Sequence, residues 1–247
     1  MNKLQHILIL TFLFIFLSSQ AQELDNSEVG LIYKREQSMG INLNTDGWGF
    51  DYRLGFFKTG YLKRTMDISF SFIRDPKETR YYNSYDQSSK SFIYGKERNF
   101  YSLRFLYGNQ KDLSNKPYWG GVDIRWLNLF GFNLGIGKPI YLYVVDQAND
   151  GVLDLQRYDP VRHNLSNIYG RGPYSKGLSE LEVFPGISFK TALNVEYGSI
   201  PEKTRSIEAG IIFNGYLRPY NIMAYSDARY FDMSVYLSFN FGKRYNK

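Results

Sequence analysis

The feature that most constrains this chain is an alternation of apolar and polar residues near its end, FDMSVYLSFNF at 231–241. Every odd position in this run is apolar, and the residues between them are Asp, Ser, Tyr, Ser and Asn. Alternate side chains of a β-strand point to opposite faces, so the run predicts a strand with one apolar and one polar face.

The same period of two recurs along the chain, and no stretch shows a convincing helical period of 3.6 residues. The pattern therefore predicts an all-β protein with eight strands. The predicted strands cover about 29–44, 47–57, 60–73, 98–108, 118–145, 181–198, 205–217 and 231–242.

The predicted strand at 118–145 is unusually long. Its alternation keeps one phase across Phe130 and Gly131, where a hairpin would have to fall. This favours a single strand that is bent at Gly131, Gly135 or Gly137 and projects beyond a membrane. The alternative is two strands joined by a tight turn, which would give ten strands if one other segment also split.

The first 21 residues have the order of a secretory signal peptide. A Lys in MNKLQH precedes the apolar run ILILTFLFIFL, and small residues in SSQA form a cleavage site. The run is shorter than the about 20 residues of a spanning helix, although a retained membrane anchor is the alternative. Removal of 1–21 leaves one exported domain, 22–247. Without Cys it has no disulfide or thiol chemistry.

The connectors between the predicted strands indicate a membrane barrel. With the N-terminus on the periplasmic side, the long connectors 74–97 and 146–180 both lie outside, and the connectors on the other side are short. An even strand number also lets the last strand pair with the first and removes both sheet edges. The sequence therefore predicts a single closed antiparallel up-and-down transmembrane β-barrel, located in the outer membrane.

Composition supports this fold. The chain has 22 Tyr and 19 Phe but a mean hydropathy of only −0.38, as expected for alternating rather than continuous apolar strands. Its net charge of +6 is mild and its Lys and Arg residues are not clustered, so nucleic acid is not expected as a partner.

The polar faces of the strands carry small residues and isolated charges of both signs. Such residues suit the crowded interior of an eight-stranded barrel, where buried charges have to pair. The favoured interpretation is a plug of salt bridges, and the alternative is a path for protons or ions. The predicted network contains Asp51, Arg53, Asp67, Arg104, Asp123, Arg125, Lys190, Glu196, Glu208 and Asp232.

Three features resemble the small outer-membrane β-barrels of Bacteroidota, with the OmpX/OmpA-type barrel architecture. They are the signal peptide ending in SSQAQ, the aromatic final strand YLSFNFGKR and the loops rich in Tyr and Asn. The final aromatic residue of that strand, Phe241, is similar to the terminal signal that barrel-assembly machinery reads. The resemblance implies outer-membrane lipid and lipopolysaccharide as surroundings, without a characterised function.

Candidate catalytic chemistry is sparse. His163 is the sole histidine after the signal peptide, and with Ser166 or Asp159 it could activate a hydroxyl. Lipid A acyltransferases and deacylases among small outer-membrane barrels use such groups. No Ser/His pair lies on a strand, however, so no enzyme is expected. With one His and no Cys, no transition-metal site and no cofactor are expected.

The two long connectors are rich in tyrosine, which offers a large contact area at low entropic cost. They predict binding to a partner in an envelope complex for assembly, secretion or adhesion. The alternatives are loops that pack on each other as a lid, a narrow channel, and a lipid A-modifying enzyme using His163. The predicted binding residues are Tyr81, Tyr82, Tyr85, Tyr94, Tyr158, Tyr169 and Tyr174.

Overall fold

A computed structural model describes residues 33–83, 89–114, 122–146, 152–197, 200 and 202–246. The predicted signal peptide, 1–21, and Tyr85 lie outside these residues. Within the described ranges, no helix has the length and hydrophobicity needed to cross a bilayer.

The described chain consists of β-strands and a short 3₁₀ helix at Leu178–Glu180. In chain order the strands are β1 (Arg35–Asn44), β2 (Gly47–Phe57), β3 (Leu62–Ile73), β4 (Arg80–Tyr81), β5 (Phe92–Ile93), β6 (Arg98–Asp112), β7 (Asp123–Pro139), β8 (Tyr141–Asp146), β9 (Val152–Arg157), β10 (Ile168–Arg171), β11 (Glu182–Tyr197), β12 (Lys203–Tyr220) and β13 (Arg229–Tyr245).

Eight of these strands form a closed antiparallel barrel in the order β1-β13-β12-β11-β7-β6-β3-β2. The last strand pairs with the first, with Met39 opposite Phe241 and Ile41 opposite Phe239. Closure gives every barrel strand two partners and leaves no unpaired edge. The predicted all-β, eight-stranded closed barrel is confirmed.

The long strand predicted at 118–145 differs from the observed structure. β7 pairs with β11 in one register through Gly131, Gly135 and Gly137, so the chain does not turn at these glycines. The barrel strand ends at Pro139, whose nitrogen cannot donate a ladder hydrogen bond, and the chain continues as β8 in a separate sheet. The alternative of two barrel strands joined at Phe130 and Gly131 is wrong for the same reason.

The two faces of the barrel wall have opposite polarity. Outward positions are apolar and exposed, for example Met39, Ile41 and Phe132, while inward positions such as Ser69 and Asn240 are buried and polar. An apolar belt of this extent is unfavourable in water, at about 25 cal/mol per Å². The barrel strands have 10 to 18 residues, so each is long enough for the about 9–11 residues that a tilted transmembrane strand requires. This is the arrangement of a transmembrane barrel.

The long connectors lie at one end of the barrel, here called the capped end. Ladder pairing places the ends of β3, β6, β7 and β11 side by side, through Ile73, Phe100, Gly137 and Glu182. The connectors after β3 and after β7 therefore leave the barrel together, as predicted. The strand ends on either side of the short connectors lie at the opposite end, here called the short-turn end: Phe57 and Leu62, Asp112 and Asp123, and Tyr197 and Lys203.

The described residues of the long connectors fold into a small structure, here called the cap. It contains a three-stranded sheet of order β10-β8-β9 and the two-stranded β4-β5 sheet. Its buried core joins β5 to the sheet formed after β7, so the two connectors pack on each other, as the lid alternative predicts. The core residues are Phe92, Leu142, Val144, Tyr158 and Ile168.

Candidate functional site

A buried quartet of charges crosses the middle of the barrel interior. Arg53 of β2 donates to Glu208 at 2.6 Å and to Asp67 at 2.9 Å. The Lys190 ammonium lies 3.4 Å from each of these carboxylates. The hydroxyl of Tyr236 donates to Glu208 at 2.7 Å, so the quartet has equal numbers of cations and anions and additional hydrogen bonds.

A second network fills the short-turn end of the interior. Arg125 lies 2.7 Å from Glu196, and Arg244 donates to Glu36 at 3.0 Å and also contacts Glu196. Lys63 pairs with Glu36 at 2.5 Å. Glu36, Lys63 and Arg244 were not among the predicted lumen charges, although each occupies the inward phase of its strand.

The remaining predicted lumen residues use smaller partners. Arg104 donates to the hydroxyls of Ser69 and Ser71, and Asp123 pairs with Arg125 at 2.5 Å. Asp51 accepts from Asn42 at 3.1 Å and from Ser238 at 3.2 Å, and Asp232 accepts from Asn214 at 3.2 Å. Nine of the ten predicted residues are buried, and Asp232 is partly exposed.

Apolar side chains also occupy the interior, which the predicted polar face of the strands does not include. Leu106, which interrupts the polar face of β6, belongs to a buried cluster on the inner wall. The cluster consists of Leu106, Leu127, Leu129, Ala192, Ile212 and Tyr236. The signal in the sequence was an apolar residue in the polar phase of an alternating strand.

Aromatic rings fill the capped end of the interior. The Phe100 and Tyr220 rings stack at 4.1 Å, and Tyr216 meets Phe100 edge-on at 5.5 Å. A Cβ at Gly135 would lie 2.6 Å from the Phe100 ring, so this plug requires glycine there. The plug lies at the capped end and the Arg125 network at the short-turn end, with the Arg53 quartet between them, so side chains occupy the interior at all three levels.

The predicted binding tyrosines have different environments in the cap. Tyr158 is buried in its core, while Tyr94 lies between Tyr81, Tyr158 and Tyr225. Tyr82 and Tyr174 are exposed by 71% and 61%. Tyr169 is half-buried, and its carbonyl accepts from Asn83 at 3.4 Å.

His163 is a buried part of a turn in the cap. Its Nδ1 accepts the backbone N–H of Asp159 at 3.0 Å, and its Nε2 lies 3.0 Å from Oε1 of Gln156. Ser166 donates instead to Asn164 at 2.6 Å. The three residues of the predicted catalytic alternative are therefore close in the chain, but the hydroxyl is not bonded to the imidazole.

We expect this histidine to make the cap sensitive to acid. Burial lowers the pKa of His163, with a smaller contribution from Arg162 and partial opposition from Asp159. The unfolded cap then binds a proton more readily, so stability decreases as pH falls below the usual histidine pKa of about 6.5. Limited proteolysis of the cap should accelerate several-fold between pH 7.5 and pH 5. A His163→Gln variant should show little change over that interval, and an equal acceleration in both proteins would contradict the assignment.

A cavity of about 470 Å³ lies on the outer side of the barrel wall, beneath the cap. Its barrel side is formed by Phe72 of β3, Tyr101 of β6 and Lys138 of β7, all in the outward phase of their strands. The cap supplies its other walls, including Tyr174, whose hydroxyl is hydrogen-bonded to that of Tyr101.

Positive charge predominates around this cavity. Its two carboxylates already have partners, because Glu78 accepts from Lys96 at 2.7 Å and Asp75 from Arg229 at 2.9 Å. The cationic residues that line it are Arg74, Arg80, Lys96, Lys138 and Arg171. Across the described ranges, no group of three or more His, Cys, Asp or Glu residues could hold a metal ion.

No family model matches the chain, and no curated protein does. Among solved structures, Neisserial surface protein A is similar with a TM-score of 0.41 and 9% identity, over 85% of this chain and 96% of its own. Ail of Yersinia pestis, in complex with the heparin analogue sucrose octasulfate, has a TM-score of 0.41 and 8% identity, over 87% and 100%. The outer-membrane enzyme PagL has a TM-score of 0.29 and 9% identity, over 84% of this chain and 98% of its own. Structural similarities at this level do not assign a role to any residue of this chain.

Proposed function

We propose that this protein is a non-enzymatic integral outer-membrane barrel that serves as a binding subunit of an envelope complex through its external cap. The observation that carries the proposal is the cap itself, because two long connectors build a shared buried core instead of extending as separate loops. Rigid elements of this kind present contact residues with little loss of conformational entropy on binding.

The exposed residues of the cap support a docking role. Val161 is 92% exposed, and Val152, Leu165 and Tyr82 are also among the exposed large apolar side chains. Outer-membrane barrels place their long connectors outside the cell, so these residues would face other surface components. Charged and aromatic side chains occupy the barrel interior, which favours the external cap as the binding surface.

The two other functions have less support. Conduction would require rearrangement of the Arg53 quartet and of the ring stack at Phe100, so planar-bilayer recordings are expected to show no steady conductance. Catalysis at His163 would require at least one of its ring nitrogens to give up its present hydrogen-bond partner. Lipid A mass spectra are therefore expected to be unchanged by His163→Ala.

The test is affinity purification of the tagged full chain from gently solubilised outer membranes. A stoichiometric protein of the assembly, secretion or adhesion machinery is expected, and its recovery should fall at least about fivefold with Val161→Lys and Leu165→Ser together. The matched control is Leu178→Ser, at another exposed position of the same connector, which should retain the partner. Recovery of the barrel alone, or equal recovery with both variants, would contradict the proposal.

A further inference from the structure

The cavity beneath the cap is the feature that neither the barrel nor the docking role explains. Its barrel side continues the outward, lipid-facing wall, because Tyr101 stacks on Phe70 at 5.7 Å and also contacts Phe72 at 5.3 Å. Aromatic residues at the ends of such a wall are typical of the interface between lipid and water. The cavity therefore opens where lipid headgroups would lie.

One of the residues that line the cavity is the buried Lys138. Its side chain is only 3% exposed, and no carboxylate pairs with it among the residues that the structure describes. Its ammonium lies 4.2 Å from the centre of the Tyr174 ring, a favourable but weak contact for a buried cation. An unpaired buried charge is costly, and an anion in the cavity would remove that cost.

Three arginines surround the same space without a carboxylate partner in the described part of the chain. Arg74 lies over the Phe72 ring at 5.2 Å, and Arg80 and Arg171 are exposed at the rim. Planar guanidinium groups bind phosphate oxygens through paired hydrogen bonds, and a lysine adds a compact charge. The volume lies within the range of small-ligand sites, which is about 300–1,000 Å³.

We infer that this cavity binds the phosphate group of an outer-leaflet lipid, through the buried Lys138 and the arginines at its rim. The acyl chains of that lipid would run along the aromatic wall below Phe72 and Tyr101. A lipid satisfies both observations, the unpaired cations and the continuous apolar wall, whereas a soluble phosphate satisfies the first alone. The inference rests on the membrane placement in the proposed function, but not on the protein partner of the cap.

The test uses the full chain refolded in a neutral detergent and native mass spectrometry of its lipid adducts. The probes are phosphatidic acid with short acyl chains, the matching diacylglycerol without phosphate, and inorganic phosphate as a competitor. One phosphatidic acid is expected to remain bound, and Lys138→Gln should weaken its binding about tenfold or more. Lys138→Arg, which keeps the charge, should stay within about threefold of the wild type.

Lys58→Gln is the matched control, because it removes one exposed lysine at the short-turn end. A second variant, Arg80→Gln with Arg171→Gln, changes rim residues only and should also weaken binding. Three results would each overturn the inference. They are a loss of phosphatidic acid binding with Lys58→Gln that equals the loss with Lys138→Gln, binding of diacylglycerol equal to that of phosphatidic acid, and full displacement of bound phosphatidic acid by inorganic phosphate. Failure of the membrane placement would be seen separately, as an Ile41→Arg barrel that is no less stable than the wild type in a bilayer.

Discussion

Arg53→Met is expected to lower the free energy of unfolding by about 3–5 kcal/mol, because it leaves two buried carboxylates with one cation. In the wild type Arg53 donates to both Asp67 and Glu208, and all three side chains are buried. The loss should be measured by urea unfolding of the barrel refolded in lipid vesicles, with the shift of the folded band on an unheated gel as a second readout.

Two further variants separate the effect of charge from that of packing. Arg53→Met with Glu208→Gln restores equal charge around Lys190 and Asp67, so it should be more stable than Arg53→Met alone. Arg205→Met removes an exposed arginine from the outer face of β12 and should change stability by less than about 1 kcal/mol. A single Arg53→Met variant as stable as the wild type would show that the quartet does not hold the barrel together.

Ile41→Arg is expected to destabilise the barrel by about 2–4 kcal/mol in a lipid bilayer. Ile41 lies on the outer face of β1, between Phe239 and Phe50 on the two neighbouring strands. If this belt faced water, the same substitution would replace an exposed apolar side chain by a charged one and would be neutral or favourable. The sign of the change therefore tests the membrane placement directly.

The control for this substitution is Leu217→Arg, near the capped end of β12 and next to Arg218. Leu217 is exposed on the same outer face, but a charge near the interface costs only about 0–1 kcal/mol. Urea unfolding in vesicles measures both variants under one condition. Equal effects of the two arginines would contradict a belt with lipid at its centre.

The sequence predicts which charged residues face the barrel interior, but it does not predict which of them contact each other. The polar phase of the strands correctly placed Arg53 and Glu208 inside the barrel, yet they are 155 positions apart and meet only through barrel closure. Strand alternation identifies a face and contains no information on which residues oppose each other across the interior. The pairing depends on the register of all eight strands.

The end of β7 shows the same limit. Ile140, Leu142 and Val144 continue the apolar alternation of β7 after Pro139, because a strand has the same period in a barrel wall and in a separate sheet. The departure of β8 from the barrel was therefore missed. The packing of the two connectors on each other was one of the predicted alternatives, but the core that Phe92 and Ile168 share across the two connectors was not predicted.

The sequence by itself determined the all-β class, the eight barrel strands, the apolar outer face and the charged interior, since each depends on the local period of two. Only the tertiary structure decided which charges pair, where rings plug the interior, and how the long connectors fold. It also decided the setting of Lys138, which lies in the outward phase of β7 like the lipid-facing residues. Its burial against Tyr174 arises from a contact between segments 36 residues apart, which local periodicity cannot specify.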